Sequence, residues 1–229
     1  MAEVQLTWLG HASFRFDTPG GKRVYIDPFF DNPLFPDEEK QPERVDVLAL
    51  THGHNDHVGN SVDLINRFGP AVVAQIELKN WLAAQGAQVG EFPGINKGGT
   101  QDADGVRFTM TDARHSSSGS DGQYLGEAAG YVVQVENGTK IYFAGDTSVF
   151  MDMQLIGRIY EPDVAVLPIG DHFTMGPKEA AVALELLGVQ RCVPCHYGTF
   201  PILHGSPDQL RELTDVEVLA IQPGETTEV

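Results

Sequence analysis

Apolar residues in this chain fall in short blocks whose spacing switches between the two-residue period of a strand and the period of a helix. Val4 to Leu9 and Ser13 to Phe16 read as strands. The alternation Phe14-Arg15-Phe16, followed by Pro19-Gly20-Gly21, predicts a hairpin onto a third strand, Arg23 to Ile26. Asn32 to Arg44, with prolines at 33, 36 and 42 and the acids Asp37-Glu38-Glu39, reads as a solvated loop without a function of its own. A buried strand, Val45 to Leu50, follows. Helical spacing at Ser61 to Phe68 and at Glu77 to Gln85, closed by Gly86, brackets a short strand, Ala71 to Ala74. The same alternation then returns. Strands are predicted at Val106 to Asp112, Tyr131 to Val135 and Lys140 to Phe143, the last two joined by the hairpin signal Asn137-Gly138. Helices at Met151 to Ile159, from Pro177 to Gly188 and after Ser206-Pro207 separate strands at Val164 to Pro168, Arg191 to Pro194 and Glu217 to Ile221. The helix Lys178 to Leu187 is apolar enough for core packing or an oligomer contact.

No linker, low-complexity tract or tandem repeat interrupts this order, so residues 1–229 read as one domain. Strands followed by helix-and-strand units, twice over, predict an α/β fold of two mixed β-sheets packed face to face with helices outside.

Composition narrows the partners. The 229 residues carry 15 basic and 32 acidic side chains, a formal charge of −17. A nucleic-acid backbone or an anionic lipid surface calls for clustered Lys and Arg, and the densest basic run here is Lys22-Arg23. A long nucleic acid is therefore not the expected partner. No apolar run approaches the roughly 20 residues of a membrane helix. Glu3 stands where an export signal needs a basic residue and no apolar stretch follows, so the expected location is the cytoplasm. In that compartment Cys192 and Cys195 read as free thiols.

Candidate chemistry begins directly after the strand Val45 to Leu50. His52-Gly53-His54-Asn55-Asp56-His57 puts three of the eight histidines and an aspartate into six positions. Imidazole nitrogen and carboxylate oxygen are ligands for Zn, Mn, Fe and Ni. Residues two apart share a side of an extended segment, so His52 and His54 can meet one ion, and Asp56 and His57, a turn further on, another. More ligands are needed, and His115, Asp146 and His196 each stand just past an apolar strand.

The cluster, together with the later His115, Gly145-Asp146-Thr147 and His196, resembles the signature of the metallo-β-lactamase superfamily. Trp8-Leu9-Gly10-His11-Ala12-Ser13-Phe14, Ile26-Asp27-Pro28-Phe29, Pro168-Ile169-Gly170-Asp171-His172-Phe173-Thr174-Met175 and His196-Tyr197-Gly198-Thr199-Phe200-Pro201 are similar to a group within it. That group is the small bacterial and archaeal predicted metal-dependent hydrolases related to L-ascorbate-6-phosphate lactonase. The resemblance implies a four-layer αββα sandwich and an enzyme with two divalent ions, Zn foremost, with Mn, Fe or Ni as alternatives. One ion is implied at His52, His54 and His115, the other at Asp56, His57 and His196, with Asp146 bridging. The implied reaction is hydrolysis of a small ester, lactone or phosphorylated metabolite by a hydroxide held between the ions, with Asp56 orienting it. A phosphodiesterase or nuclease on the same scaffold is the alternative, and a non-catalytic metal or thiol module a third. Related proteins often assemble as homo-oligomers.

Supporting roles are expected around this set. His11 and Asp27 read as residues that hydrogen-bond a ligand or a backbone carbonyl. His172 reads as a substrate contact or general acid near the Pro177 helix, whose N-terminus could receive an anion. Tyr197 could donate its hydroxyl to a developing oxyanion or pack on Phe200, and His204 could line the mouth. Cys192-Val193-Pro194-Cys195-His196 matches a c-type haem or thiol-pair pattern, but reads more simply as buried strand cysteines leading up to His196.

Overall fold

The opening alternation folds as a meander. In a computed structural model, which describes residues 3–229, β1 (Gln5–Trp8) pairs antiparallel with β2 (Phe14–Asp17), and β2 with β3 (Arg23–Ile26). Met1 and Ala2, where the stretch read for an export signal begins, lie outside the described residues. Gly21, at φ +83, closes the β2–β3 turn and donates its N–H to the Thr18 carbonyl at 2.8 Å. From β3 the pairing turns parallel, to β4 (Val47–Ala49) and then to β5 (Ala71–Val73). Parallel neighbours need a crossover, and α1 (Asn55–Val58) with α2 (Ser61–Phe68) supplies the one between β4 and β5.

After α3 (Ile76–Ala84) the plan repeats. Antiparallel β6 (Thr100–Ala103), β7 (Val106–Asp112), β8 (Ala129–Gln134) and β9 (Lys140–Phe143) lead into parallel β10 (Val164–Pro168), β11 (Arg191–Cys195) and β12 (Glu217–Val218). The crossovers are α4 (Met153–Tyr160), α5 (Pro177–Leu187) and α6 (Pro207–Arg211). A final strand, β13 (Thr226–Glu228), returns to pair with β1. The sheet orders are β13-β1-β2-β3-β4-β5 and β12-β11-β10-β9-β8-β7-β6.

Strand alternation sorts the apolar side chains into three packed layers. Val24, Ile26, Val47 and Ala49 point from the first sheet to Ile141, Phe143, Val164 and Val166 of the second, and this is the core between the sheets. Tyr25, Leu48 and Val72 face the other way, onto Leu64 and Ile65 of α2 and Leu78 and Leu82 of α3. Tyr142, Ala165 and Leu167 do the same beneath α4, α5 and α6. The result is an αββα sandwich.

Several expectations shift in detail. The loop 32–44 is not wholly solvated: Phe35 is buried with its ring 4.5 Å from Phe30, and buried Asn32 donates to the Leu9 and Phe29 carbonyls. β6 and β13 were not foreseen because Thr100-Gln101-Asp102-Ala103 and Thr226-Thr227-Glu228 are polar edge strands without an apolar run. The Asn137-Gly138 turn forms as expected, with Gly138 at φ +94 and the Thr139 N–H donated to the Asn137 side chain. Cys192 faces the helices and Cys195 the core between the sheets, so strand geometry itself keeps them from pairing. Burial pushes the Cys192 thiol up to about 12 and Cys195 well above the usual range. They are packing residues, as the simpler reading held.

Gly157 shows how closely α4 and α5 approach. Alanine normally favours a helix over glycine by about 0.5–1 kcal/mol, but here an added Cβ would overlap the Leu187 carbonyl oxygen at the end of α5. Gly157→Ala is therefore expected to destabilise the protein by about 1–3 kcal/mol, seen as a lower urea midpoint at unchanged slope. A raised midpoint would show that the two helices can separate at no cost.

Candidate metal centre

Parallel strands end at one edge of a sheet, and every second strand of a meander ends there too. β1, β3 and β4 of the first sheet share a direction, as do β7, β9, β10 and β11 of the second. Their C-terminal ends deliver in turn His11, Asp27, His52, His115, Asp146, Asp171 and His196. The edge is locally strained. His11 (φ +53), Asp27 (φ +49), Asp171 (φ +66), His172 (φ +60) and His196 (φ +55) are all non-glycine residues in the left-handed region. Such conformations persist only where surrounding contacts over-determine them.

From the first sheet, β4 runs through Leu50 and Thr51 into the histidine segment. His52 and Gly53 lead to His54, the N-cap of α1, and Asp56 and His57 lie on that single helical turn. His52 Nε2 and His54 Nδ1 approach to 2.9 Å, so the two imidazoles meet as their spacing predicts. Gly53 between them packs tightly: an added Cβ would lie 2.7 Å from Leu125 Cβ, so Leu125 would have to move. The Gly53 N–H donates to Ser117 Oγ at 3.1 Å, tying the segment to the loop that follows β7. Asp27 anchors the far side. Its Oδ1 accepts the Thr51 N–H (2.9 Å), and its Oδ2 accepts the Thr51 hydroxyl (2.6 Å) and His57 Nδ1–H (2.8 Å). Holding a proton on His57 Nδ1 aims Nε2 away from Asp27, so that its lone pair is available to a metal once Nε2 gives up its own proton, the usual arrangement behind a metal-binding histidine.

The second sheet brings the complement. Buried Thr147 accepts the Arg114 N–H at 2.9 Å, joining the end of β7 to the end of β9 and so His115 to Asp146. His196 donates its backbone N–H to the His11 carbonyl at 2.9 Å, and Gly170, after β10, lies so close that a Cβ there would overlap the His196 carbonyl. Asp146 Oδ2 is 3.1 Å from His196 Nε2, 3.3 Å from His57 Nε2 and 3.6 Å from His115 Nε2. Three sets of donor atoms each lie within 4.8 Å of one another: His52, His54 and His115; His52, His57 and Asp146; and His11, Asp56, His57 and His196.

Electrostatics alone explain the protein's part. Burial holds the His52 imidazole well below the usual histidine range, and also lowers His54 and His115. Burial likewise opposes charge on His57, but the Asp146 and Asp27 carboxylates outweigh it and hold that group well above the usual range. Burial would raise Asp146, yet His196 and His57 draw it well below the usual carboxylate range. Among the described residues His57 Nε2, both His196 ring nitrogens and Asp146 Oδ1 are buried without a hydrogen-bond partner. An orphaned buried polar atom costs about 1–3 kcal/mol. Convergent orphaned nitrogens and a carboxylate oxygen are what a divalent cation satisfies, so the donor set fits metal ions.

The remaining candidates are placed elsewhere or in support. Asp27 makes the supporting contact expected of it, and His11 meets Asp56 at 3.0 Å. Tyr197 stacks on Trp8 (5.0 Å between centroids) rather than on Phe200, and burial pushes its hydroxyl up to about 12. His172 is exposed, edge-on to Phe173 at 4.5 Å. At the α5 N-terminus beside it, the Glu179 carboxylate accepts the Gly176 N–H at 3.2 Å. His204 lines a separate cleft of about 430 Å³ with Asp171, Lys178 and Glu212. Thr51, Ser117 and Thr147 were missed by sequence reasoning. Their only signal is adjacency to His52, His115 and Asp146.

Two outcomes follow. Asp27→Asn, which replaces the carboxylate behind His57, is expected to weaken metal binding about 10–100-fold, measured by chelator competition; unchanged affinity would show that His57 is oriented by packing alone. In metal-free protein, His11 (lowered to about 4 by burial), His52, His54 and His115 take up protons more readily unfolded than folded. Their contribution is therefore full above pH ~6.5 and falls as pH drops from there toward 4, whereas His57, held above its ordinary range, contributes below pH ~6.5 and loses that contribution only as pH rises. Denaturant melts at several pH values read that slope, which should flatten in His11→Gln.

Residues 22–197 match the family described as the β-lactamase superfamily domain. A UPF0173 metal-dependent hydrolase of Roseiflexus sp. strain RS-1 is 48% identical over 98% of this chain and 97% of its own length. Another of that name, from Rubrobacter xylanophilus, is 48% identical over 97% of this chain and 95% of its own. Igni18, a metallo hydrolase from Ignicoccus hospitalis, superposes with a TM-score of 0.86 at 33% identity, covering 99% of this chain and 98% of that one. Fold, strand-end histidines and relatives agree: the chain belongs to the β-lactamase superfamily and, within it, to the UPF0173 metal-dependent hydrolases.

Proposed function

We propose that the protein hydrolyses a small ester, lactone or phosphorylated metabolite with two divalent ions, zinc foremost. The observation that carries this reading is the convergence of the unpartnered His57 Nε2, His196 Nε2 and Asp146 Oδ1 beside a partly open Asp56, whose side chain is 35% exposed. His52, His54 and His115 would hold one ion, and Asp56, His57 and His196 the other. Asp146 Oδ2, within 3.6 Å of histidines from both sets, would join them. Bound there, the ions would supply Lewis-acid polarisation of the scissile group and bring the pKa of water from 15.7 toward ~7.

The chain's own groups do the rest. Asp56 keeps one oxygen on His11 and presents the other at the accessible side, where it orients the attacking water and accepts its proton. The rings of Phe29 and Phe200 stand edge-on to His11 at 6.0 and 5.5 Å and flank this side with apolar surface. The nearby cations are engaged elsewhere: Arg114 pairs with Asp112 and lies over Phe150, and Lys97 pairs with Asp112 and Glu127. A compact substrate suits this opening better than a polyanion.

Metal analysis coupled to a hydrolysis screen over esters, lactones, phosphodiesters and lactams tests the reading. About two ions per chain are expected, with turnover of one substrate class, and His57→Ala should lose both an ion and the turnover. A folded protein that takes up no divalent ion and stays inert would overturn it.

A further inference from the structure

We propose that His11 is a positioning residue that sets the orientation of Asp56 and joins it to the His196 strand end, and that it does so without binding metal itself. This rests on the two-ion reading above. His11 is fully buried at the tip of the β1–β2 turn. Its atoms lie close enough to Asp56, His57 and His196 for it to count among the donors of the second ion. Its hydrogen bonds argue otherwise.

An ionised carboxylate only accepts, so His11 Nε2, 3.0 Å from Asp56 Oδ2, must carry the proton. In that neutral tautomer Nδ1 is an acceptor and receives the Thr199 hydroxyl at 3.1 Å, closer than that hydroxyl's other acceptor, the Tyr197 carbonyl at 3.4 Å. The His11 carbonyl accepts both the His196 N–H and the Trp8 Nε1–H, each at 2.9 Å. Both ring nitrogens are thus satisfied by protein. In this His11 differs from His57 and His196, whose Nε2 atoms make no hydrogen bond and converge on Asp146 Oδ2. Asp56 comes from the first half of the chain, His196 and Thr199 from the second. His11 touches all three, its ring 3.9 Å from the His196 ring. The left-handed backbone at φ +53 lets the carbonyl and the ring each bridge the two halves, a conformation these four contacts hold in place.

Two measurements on the full-length protein decide it. In metal-free protein, ¹⁵N-histidine NMR should show His11 as the Nε2–H tautomer, and Asp56→Asn should shift its signals; an Nδ1–H tautomer would overturn the proposal. In Zn²⁺ titrations with a competing chelator, His11→Ala should weaken one of the two ions about 10–100-fold and spare the other. His11→Gln, whose amide N–H can reach the place of Nε2–H, should restore most of that loss. Thr199→Val, which releases only the Nδ1 anchor, should weaken the same ion less, and it carries the test if His11→Ala does not fold. Unchanged affinities in His11→Ala or Thr199→Val would overturn the proposal. So would a folded His11→Gln that loses the ion as fully as alanine, because the imidazole would then be a ligand. A wild-type protein that takes up only one ion overturns the two-ion reading instead, and the tautomer still decides the role of His11.

Discussion

One buried carboxylate governs this edge of the molecule. Asp146 sits within 3.6 Å of His57 from the first sheet and of His115 and His196 from the second. Burying a charge is costly unless opposite charge or ligation answers it, and here the histidines answer it. Asp27 reinforces the arrangement from behind, fixing the tautomer of His57 through a carboxylate that is itself saturated by Thr51. Remove either acid and several imidazoles would crowd one another with nothing to orient them. The left-handed backbone at Asp27, His11 and His196 is the strain that this convergence imposes, and the cross-sheet hydrogen bond from His196 to the His11 carbonyl holds it.

The same interaction reconciles the protein's charge with its chemistry. A formal −17 disfavours polyanionic partners at the surface. Divalent ions seated at Asp146 would concentrate positive charge in one opening, and the ions' own charge dominates a site of this kind. On the proposed reading, a small anionic or polarisable substrate would be drawn there against the repulsion of the rest of the surface. The Phe29 and Phe200 rings pack edge-on against His11 and add no charge there.

Much of this was legible along the chain. Alternation placed β7 at Val106–Asp112, where exposed Arg107 stands between buried Val106 and Phe108, and an unbroken apolar run placed β10 at Val164–Pro168, which is covered on both faces. Gly138 and Gly21 marked hairpins because each needs a positive φ. His52, His54, Asp56 and His57 were legible as a donor cluster because a six-residue segment brings them together with no help from the rest of the fold. Polar edge strands such as β13 were not legible, since what makes them strands is the neighbour they pair with.

Residue order alone therefore determined the layer architecture, the donor types and the local histidine segment, all of which depend on spacing within a few residues. Only the tertiary structure decided which distant groups meet. Thr147 brings His115 to Asp146, Thr51 brings Asp27 to His57, and Thr199 and Asp56 hold His11 between them across 188 and 45 positions of sequence. It also stacked Tyr197 on Trp8 and set His204 in a cleft with Asp171 and Lys178. Such pairings follow from strand direction and sheet packing, which set which side chains face one another, and no local pattern encodes them.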